Sequence, residues 1–252
     1  MIPKNYNNKF RLNQLHLKKF KKYIKKIYIY FFGVTIFFVI LYKRINPPIT
    51  SFIITRFFGQ VFSSYDIKLK KNRINIENIP SNVIYATIGG EDQLFLDHFG
   101  FDFKSIKKAY QYNQKNNSLI LGASTITQQT AKNLFLWSSR SYIRKGFEVY
   151  FTILLEILRS KERILEIYLN IIEFGNGIYG IQSASLYYFD KPLEKLNNSQ
   201  IAFLVSILPN PRFYENNRNI YQLNIRKNSI INSLYKIKNN KTYQNFVKNI
   251  KE

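Results

Sequence analysis

Apolar residues are spaced in three different ways along this chain. From residue 27 to 42 they form an uncharged run, IYIYFFGVTIFFVILY, closed by Lys43-Arg44. From 51 to 65 they dominate together with aromatics and one charge, Arg56. From 83 to about 208 they recur every three or four residues, the period of one helix face. Ile164, Leu165, Tyr168, Leu169 and Ile172 keep that period, with Ser160 placed as N-cap. Phe147, Phe151, Leu154, Leu155 and Leu158 keep it in the preceding helix. Another helix over 196–208 is stopped by Pro209 and Pro211, and Leu223, Lys227, Ile230, Ile231 and Leu234 predict a final one. Few segments alternate with period two. The fold class is mainly α.

The run over 27–42 predicts a transmembrane anchor. Sixteen helical residues reach ~24 Å, a little short of the hydrocarbon core, and flanking Tyr and Lys side chains extend the reach. No small-residue cleavage site follows; Pro47-Pro48 comes soon after and makes a stiff exit, so the anchor is expected to stay uncleaved. Nine Lys/Arg in 4–26 against two just after the run orient the N-terminus to the cytoplasm. The expected organisation is a basic cytoplasmic tail (1–26), the anchor (27–42), a membrane-proximal segment and linker (43–82), a catalytic core (83–215) and a basic C-terminal helix (216–252). The 51–65 stretch fits either a helix lying on the bilayer or a first core helix.

Charge refines this picture. The net charge of +23 suggests nucleic acid, but residues 1–65 hold twelve basic residues and no acid, while 66–215 hold 18 basic and 14 acidic residues. The excess lies at the ends, so no nucleic-acid partner is expected. The absence of cysteine excludes disulfides and thiolate metal sites, and two histidines exclude a His-rich one.

Three segments carry candidate chemistry. In GGEDQLFLDHFGFD (89–102), two glycines are expected to leave Glu91 at the start of a helix, with Asp92 beside it and Phe95 one turn on. A neighbouring acid and an aromatic surface raise a carboxylate's pKa, as a general base near neutral pH requires. An acid stabilising a helix N-terminus fits that segment equally well. In GASTITQQTAKN (122–133), Thr125 and Gln128 have capping-box spacing, and Ser124, Gln128 and Lys132 form a polar stripe. Helix-start N–H groups with Lys132 suit a phosphate; a solvated helix face is the ordinary alternative. In RKGFE (144–148), Glu148 lies one turn from Arg144, which alone is an ordinary surface pair. Taken together, two acids on separate helices with Lys132, Arg140, Arg144 and Lys145 nearby suit glycosyl transfer from a diphosphate leaving group.

These stretches, together with RSYIRKGFE (140–148), SKERILEIYLNIIEFGNGIYGIQSASLYYFDKP (160–192) and ILPNPRFY (207–214), closely resemble the peptidoglycan glycosyltransferases of family 51. The resemblance covers most of 83–214, in family order. It implies a lysozyme-like glycosyltransferase domain with one N-terminal transmembrane helix, in the cytoplasmic (inner) membrane with the catalytic domain outside. It further implies polymerisation of lipid II into β-1,4-linked glycan, with inversion at the donor MurNAc C1 and release of undecaprenyl diphosphate. Glu91 would be the base for the acceptor 4-hydroxyl, and Glu148 would assist at the diphosphate. Ser124, Thr125, Gln128, Gln129, Lys132, Arg140, Arg144 and Lys145 match substrate-binding positions. Asp92, Phe95, His98, Gly100 and Asp102 match supporting ones.

No cofactor is obligatory on this reading; a divalent cation such as Mg2+ at Glu148 is an optional partner. Lipid II, the growing lipid-linked glycan, the bilayer and other cell-wall synthesis proteins are the expected partners. Gly89-Gly90 stands where Ala-Ser or Ala-Ala is usual, and Phe147 where some relatives carry lysine. With residues 215–252 too few for one, no transpeptidase domain is expected. Two rival functions stay open: a lysozyme-like glycan-cleaving enzyme, and a membrane scaffold without catalysis.

Overall fold

The computed structural model describes residues 4–43, 45–61, 69–115, 122–139 and 141–252, with side chains from Lys18 onward except Gln60. Residues 1–45 and 46–252 form two separate compact units. The first is one helix, α1 (Lys4–Leu41). It does not begin at the apolar run; it continues back through the basic segment. Its stretch Lys18–Leu41, 24 residues, is long and apolar enough to cross a membrane, reaching ~36 Å at helical rise. Tyr28, Ile29, Phe37 and Ile40 are exposed around it, and Thr35 satisfies its hydroxyl on the Phe31 carbonyl at 2.9 Å. Apolar side chains all round suit a lipid environment.

The second unit opens with α2 (Ser51–Val61), capped by the Thr50 hydroxyl, which accepts from the Ile53 N–H at 3.2 Å. Phe52 and Ile53 are buried while Ile54, Phe57, Phe58 and Val61 are exposed. The helix therefore docks one face on the core and leaves a second apolar face free. Strand β1 (Lys70–Lys71) follows, then α3 (Ser81–Glu91), α4 (Phe103–Lys115), α5 (Ile126–Phe135), α6 (Tyr142–Leu158) and α7 (Lys161–Ile171). Strands β2 (Glu173–Gly175) and β3 (Ile178–Tyr179) lead to α8 (Ile181–Phe189), α9 (Asn198–Ser206), α10 (Pro211–Asn216), α11 (Tyr221–Lys238) and α12 (Lys241–Lys251). The fold is mainly α, as the spacing predicts.

The small sheet has order β1-β3-β2, with β1 parallel and β2 antiparallel to β3; Lys70 faces Ile178 and Glu173 faces Tyr179. Strands of two or three residues are too short to show a period. The centre of the core is α7, in which every residue from Ile164 to Ile171 is buried. Its Ser160 cap forms as predicted, the hydroxyl accepting from the Arg163 N–H at 3.4 Å. The buried Asn170 amide pairs with the backbone of Ile74 in both directions, at 2.9 and 2.8 Å, and so holds the segment before α3.

Gly89 and Gly90 lie inside α3, not before a helix. They are there because α3 packs against α11 and α9 at close range. A Cβ on Gly89 would meet the Ser233 backbone carbonyl carbon at 3.0 Å, and one on Gly90 would meet Val205 Cγ1 at 2.7 Å. Gly89→Ala is expected to push α11 off α3 and to lower unfolding free energy by about 1–3 kcal/mol, read by denaturant unfolding of the purified protein.

Candidate active site

Glu91 is the last residue of α3. It sits at a helix C-terminus, opposite to the sequence expectation, because the glycines before it serve helix packing. The negative end of the helix dipole disfavours an anion here. Its side chain is 8% exposed, and burial raises its pKa above the ordinary carboxylate value. Asp92 is not the cause of that shift. Two partners work against burial: Arg226 of α11 donates from Nη2 to Oε1 at 2.7 Å, and Gln129 of α5 donates from Nε2 to Oε2 at 2.8 Å. The fully buried Tyr168 hydroxyl donates to Gln129 Oε1 at 3.2 Å. That contact turns the amide so its NH2 faces Glu91. The result is a desolvated carboxylate, fixed at both oxygens, whose raised pKa suits a general base.

The supporting residues tie the turn after Glu91 to the start of α5. Asp92 holds His98 Nε2 at 2.8 Å through Oδ1 and accepts from the Ile126 N–H at 3.0 Å through Oδ2. Thr125 and Gln128 form the predicted capping box: the Thr125 hydroxyl accepts from the Gln128 N–H at 3.2 Å, and Gln128 Oε1 accepts from the Thr125 N–H at 3.0 Å. The same hydroxyl donates to the Gly100 carbonyl at 2.7 Å, and Gly100 itself takes a φ of +79°. Asp102 caps α4 by accepting from Ser105 N–H and Oγ at 2.9 and 2.6 Å. Phe95 is fully buried, with the Lys161 ammonium 4.7 Å above its ring.

The polar stripe does not survive as a single solvated face. Ser124 is exposed and Gln128 is buried, with its carbonyl oxygen spent on the cap. Gln129 is the α5 side chain that hydrogen-bonds Glu91, and Lys132 is the α5 cation that both acids influence electrostatically.

Glu148, on α6, has a side chain only 4% exposed. It is ion-paired with Lys145 and lies 3.7 Å from Arg144 Nη1. Arg140 lies outside the described residues. Lys132 links the two carboxylates: burial pulls its ammonium pKa down, Glu148 and Glu91 push it back up, and Arg144 and Lys145 lower it further. The acids from α3 and α6 thus both bear electrostatically on the Lys132 ammonium.

Two depressions flank this arrangement. One, of about 480 Å³, is lined by Glu91, Asp92, Asp102, Ser105 and Ser124 among others. The second, of about 280 Å³, is lined by Lys132, Arg144, Arg56 and Arg212 with Glu173. A buried carboxylate of raised pKa beside one polar hollow can take up a proton, and the cations around the second can stabilise an anion.

Two site residues escaped the sequence reading. Tyr168 was counted only as a core position. Arg226 was hidden among the basic residues of the C-terminal helix. A signal was present: Arg226 lies three residues after Leu223 and four before Ile230, both buried, so it is a charge on an apolar face.

Comparison with known proteins bears on this geometry. A family model described as transglycosylase matches residues 59–235. The chain is similar to the biosynthetic peptidoglycan transglycosylase of Mannheimia succiniciproducens, 45% identical over 208 residues, covering 82% of this chain and 85% of that one. A protein of the same name from Haemophilus influenzae is 42% identical, with 80% and 82% covered. One from Bdellovibrio bacteriovorus is 43% identical, with 79% of each covered.

Arg226→Gln removes the charge that opposes burial at Glu91. The Glu91 carboxyl is expected to titrate at higher pH in that variant than in the wild type, followed by carbon NMR of labelled glutamate; an unmoved midpoint would show that the pair does not form.

Proposed function

The chain belongs to the transglycosylase family and is a peptidoglycan transglycosylase, and from that premise we propose that it polymerises lipid II into β-1,4-linked glycan. Glu91 removes the proton from the acceptor GlcNAc 4-hydroxyl. The freed oxygen attacks C1 of the donor MurNAc from the face opposite the diphosphate. The C1–O bond breaks, its electron pair stays on the phosphate oxygen, undecaprenyl diphosphate leaves, and C1 is inverted.

The observation that carries this reading is the buried Glu91 carboxylate, held by Arg226 and Gln129, beside a hollow lined by Lys132 and Arg144. A base and an anion clamp are thereby joined in one unit. Charge that grows on the departing phosphate meets Lys132 and Arg144, with Lys145 next to them. Glu148 orients Arg144 and Lys145 by pairing with both. A hydrolase of finished glycan has a neutral sugar leaving group and no use for such a clamp. Retention of both acids, each held in place, speaks against a scaffold without catalysis.

A divalent cation fits this donor set poorly. Both oxygens of Glu148 face Lys145 and Arg144, and among the described residues no three His, Cys, Asp or Glu side chains cluster. No step is assigned to a metal.

The apolar stretch of α1 supports membrane anchoring. We place its basic start in the cytoplasm and residues 46–252 on the outer face, on the strength of nine positive charges in 4–26 against two just after the run. A donor whose undecaprenyl chain stays in the bilayer requires an enzyme held at the membrane.

Glu91→Gln is expected to lower polymerisation of purified lipid II by about 10²–10⁴-fold, the usual share of a general base, with the thermal melt retained. Appreciable glycan made by that variant would remove Glu91 as the base. Glu148→Gln is expected to slow the same assay severely; a rate near wild type would reduce Glu148 to a structural ion pair. Finished glycan strands should keep their length with the wild type, since shortening would mark a cleaving enzyme.

A further inference from the structure

The 280 Å³ depression has an unusual wall. Four cations line it, Arg56, Lys132, Arg144 and Arg212, against one carboxylate, Glu173. Lys132 and Arg144 belong to the site already described. Arg56 comes from α2 and Arg212 from α10, within the ILPNPRFY stretch, and neither is among the substrate-binding positions given above.

Glu173 holds both arginines. Arg212 Nε donates to its Oε1 at 2.8 Å, and Arg56 Nε stands 3.7 Å from Oε2. One carboxylate cannot satisfy two guanidinium groups. Of the nine buried side-chain polar atoms without a hydrogen-bond partner among the described residues, three belong to this wall: Arg56 Nε, Arg212 Nη2 and Arg144 Nε. Unsatisfied buried donors are costly, and three around one hollow are a feature to be explained by what they receive.

The simplest alternative is structural: Glu173 is buried in β2 and needs a counter-charge. One arginine would meet that need. The second leaves the wall with positive charge in excess, and α2 is fixed so as to supply it. Phe52 of α2 lies against both cations, 5.0 Å from the Arg56 guanidinium and 5.9 Å from the Lys132 ammonium. The hollow is several times the ~30 Å³ share of a water molecule, which leaves room for a diphosphate.

We propose that Arg56 and Arg212 form with Lys132 and Arg144 the seat of the donor's diphosphate, in competition with Glu173, and that α2 supplies part of the leaving-group site. That identity of the ligand rests on the glycosyl-transfer reading above. As the C1–O bond breaks, the phosphate oxygen that keeps the electron pair gains negative charge, and the unpartnered guanidinium N–H groups are its acceptor-seeking partners. Planar donors in a fork suit such an anion better than lysines would.

The test is calorimetric titration of the full-length protein in detergent with inorganic pyrophosphate. Arg56→Gln and Arg212→Gln should each weaken binding about tenfold, the typical loss for a charge-assisted hydrogen bond. Glu173→Gln separates anion binding from structural pairing. It removes the one negative charge from the wall, so pyrophosphate should bind several-fold more tightly. A structural tie would instead be broken by either kind of change. Wild-type affinity in both arginine variants overturns the proposal, and so does weaker binding by Glu173→Gln. Where the arginine variants do not fold, Glu173→Gln decides alone. Polymerisation of lipid II by the wild type is scored separately. Its failure with pyrophosphate still held at Arg56 and Arg212 would overturn the glycosyl-transfer reading and with it the donor as ligand; polymerisation without that loss in the variants would overturn only the seat.

Discussion

A single ammonium group carries the constraint on which the site depends. Lys132 stands within electrostatic reach of Glu91 on α3 and Glu148 on α6. Burial lowers its pKa, and the two carboxylates push it back up. Each acid also has a cation of its own, Arg226 of α11 at Glu91 and Lys145 of α6 at Glu148. Helix α5 packs against α6 and reaches the end of α3 through Gln129, and the capping box at Thr125 with the Asp92 contact to Ile126 fixes where that helix starts. A displaced α5 would cost both acids their common partner.

The surrounding fold delivers Glu91 to that point by close helix packing. Gly89 and Gly90 let α3 lie almost against α11 and α9, and α11 in return brings Arg226 to the end of α3. Tyr168 of the central helix α7 sets the Gln129 amide from the other side. The Glu91 carboxylate is thus held by three helices that share no sequence neighbourhood. Its raised pKa and its fixed orientation have one origin, the exclusion of water from the place where α3 ends.

Much of this was legible in the sequence, and the misses have physical causes. The helical class, the caps at Ser160 and Thr125, and the origin of the two acids on separate helices follow from local rules that act over three or four residues. The direction of the Glu91 helix did not, since a glycine pair reads as a breaker unless the facing helix is known. Gln128 looked like part of a polar stripe, yet capping and polar-face spacing coincide at i, i+3 and i+4, and the cap took it. Arg226 and Glu173 act with partners 135 and 39 residues away, beyond any periodic pattern. The strands of the small sheet are too short to have one. The 51–65 stretch, ambiguous in sequence, is ambiguous for a reason: over its described part, α2 has one apolar face on the core and another exposed.

The shared cation can be measured directly. Nitrogen NMR of the Lys132 ammonium gives its titration midpoint in the wild type and in Glu91→Gln and Glu148→Gln proteins. If both acids act on it, the midpoint falls in each variant relative to the wild type. A midpoint that moves in only one of them, or in neither, would mean that the carboxylates do not share Lys132 and that base and clamp are separate sites.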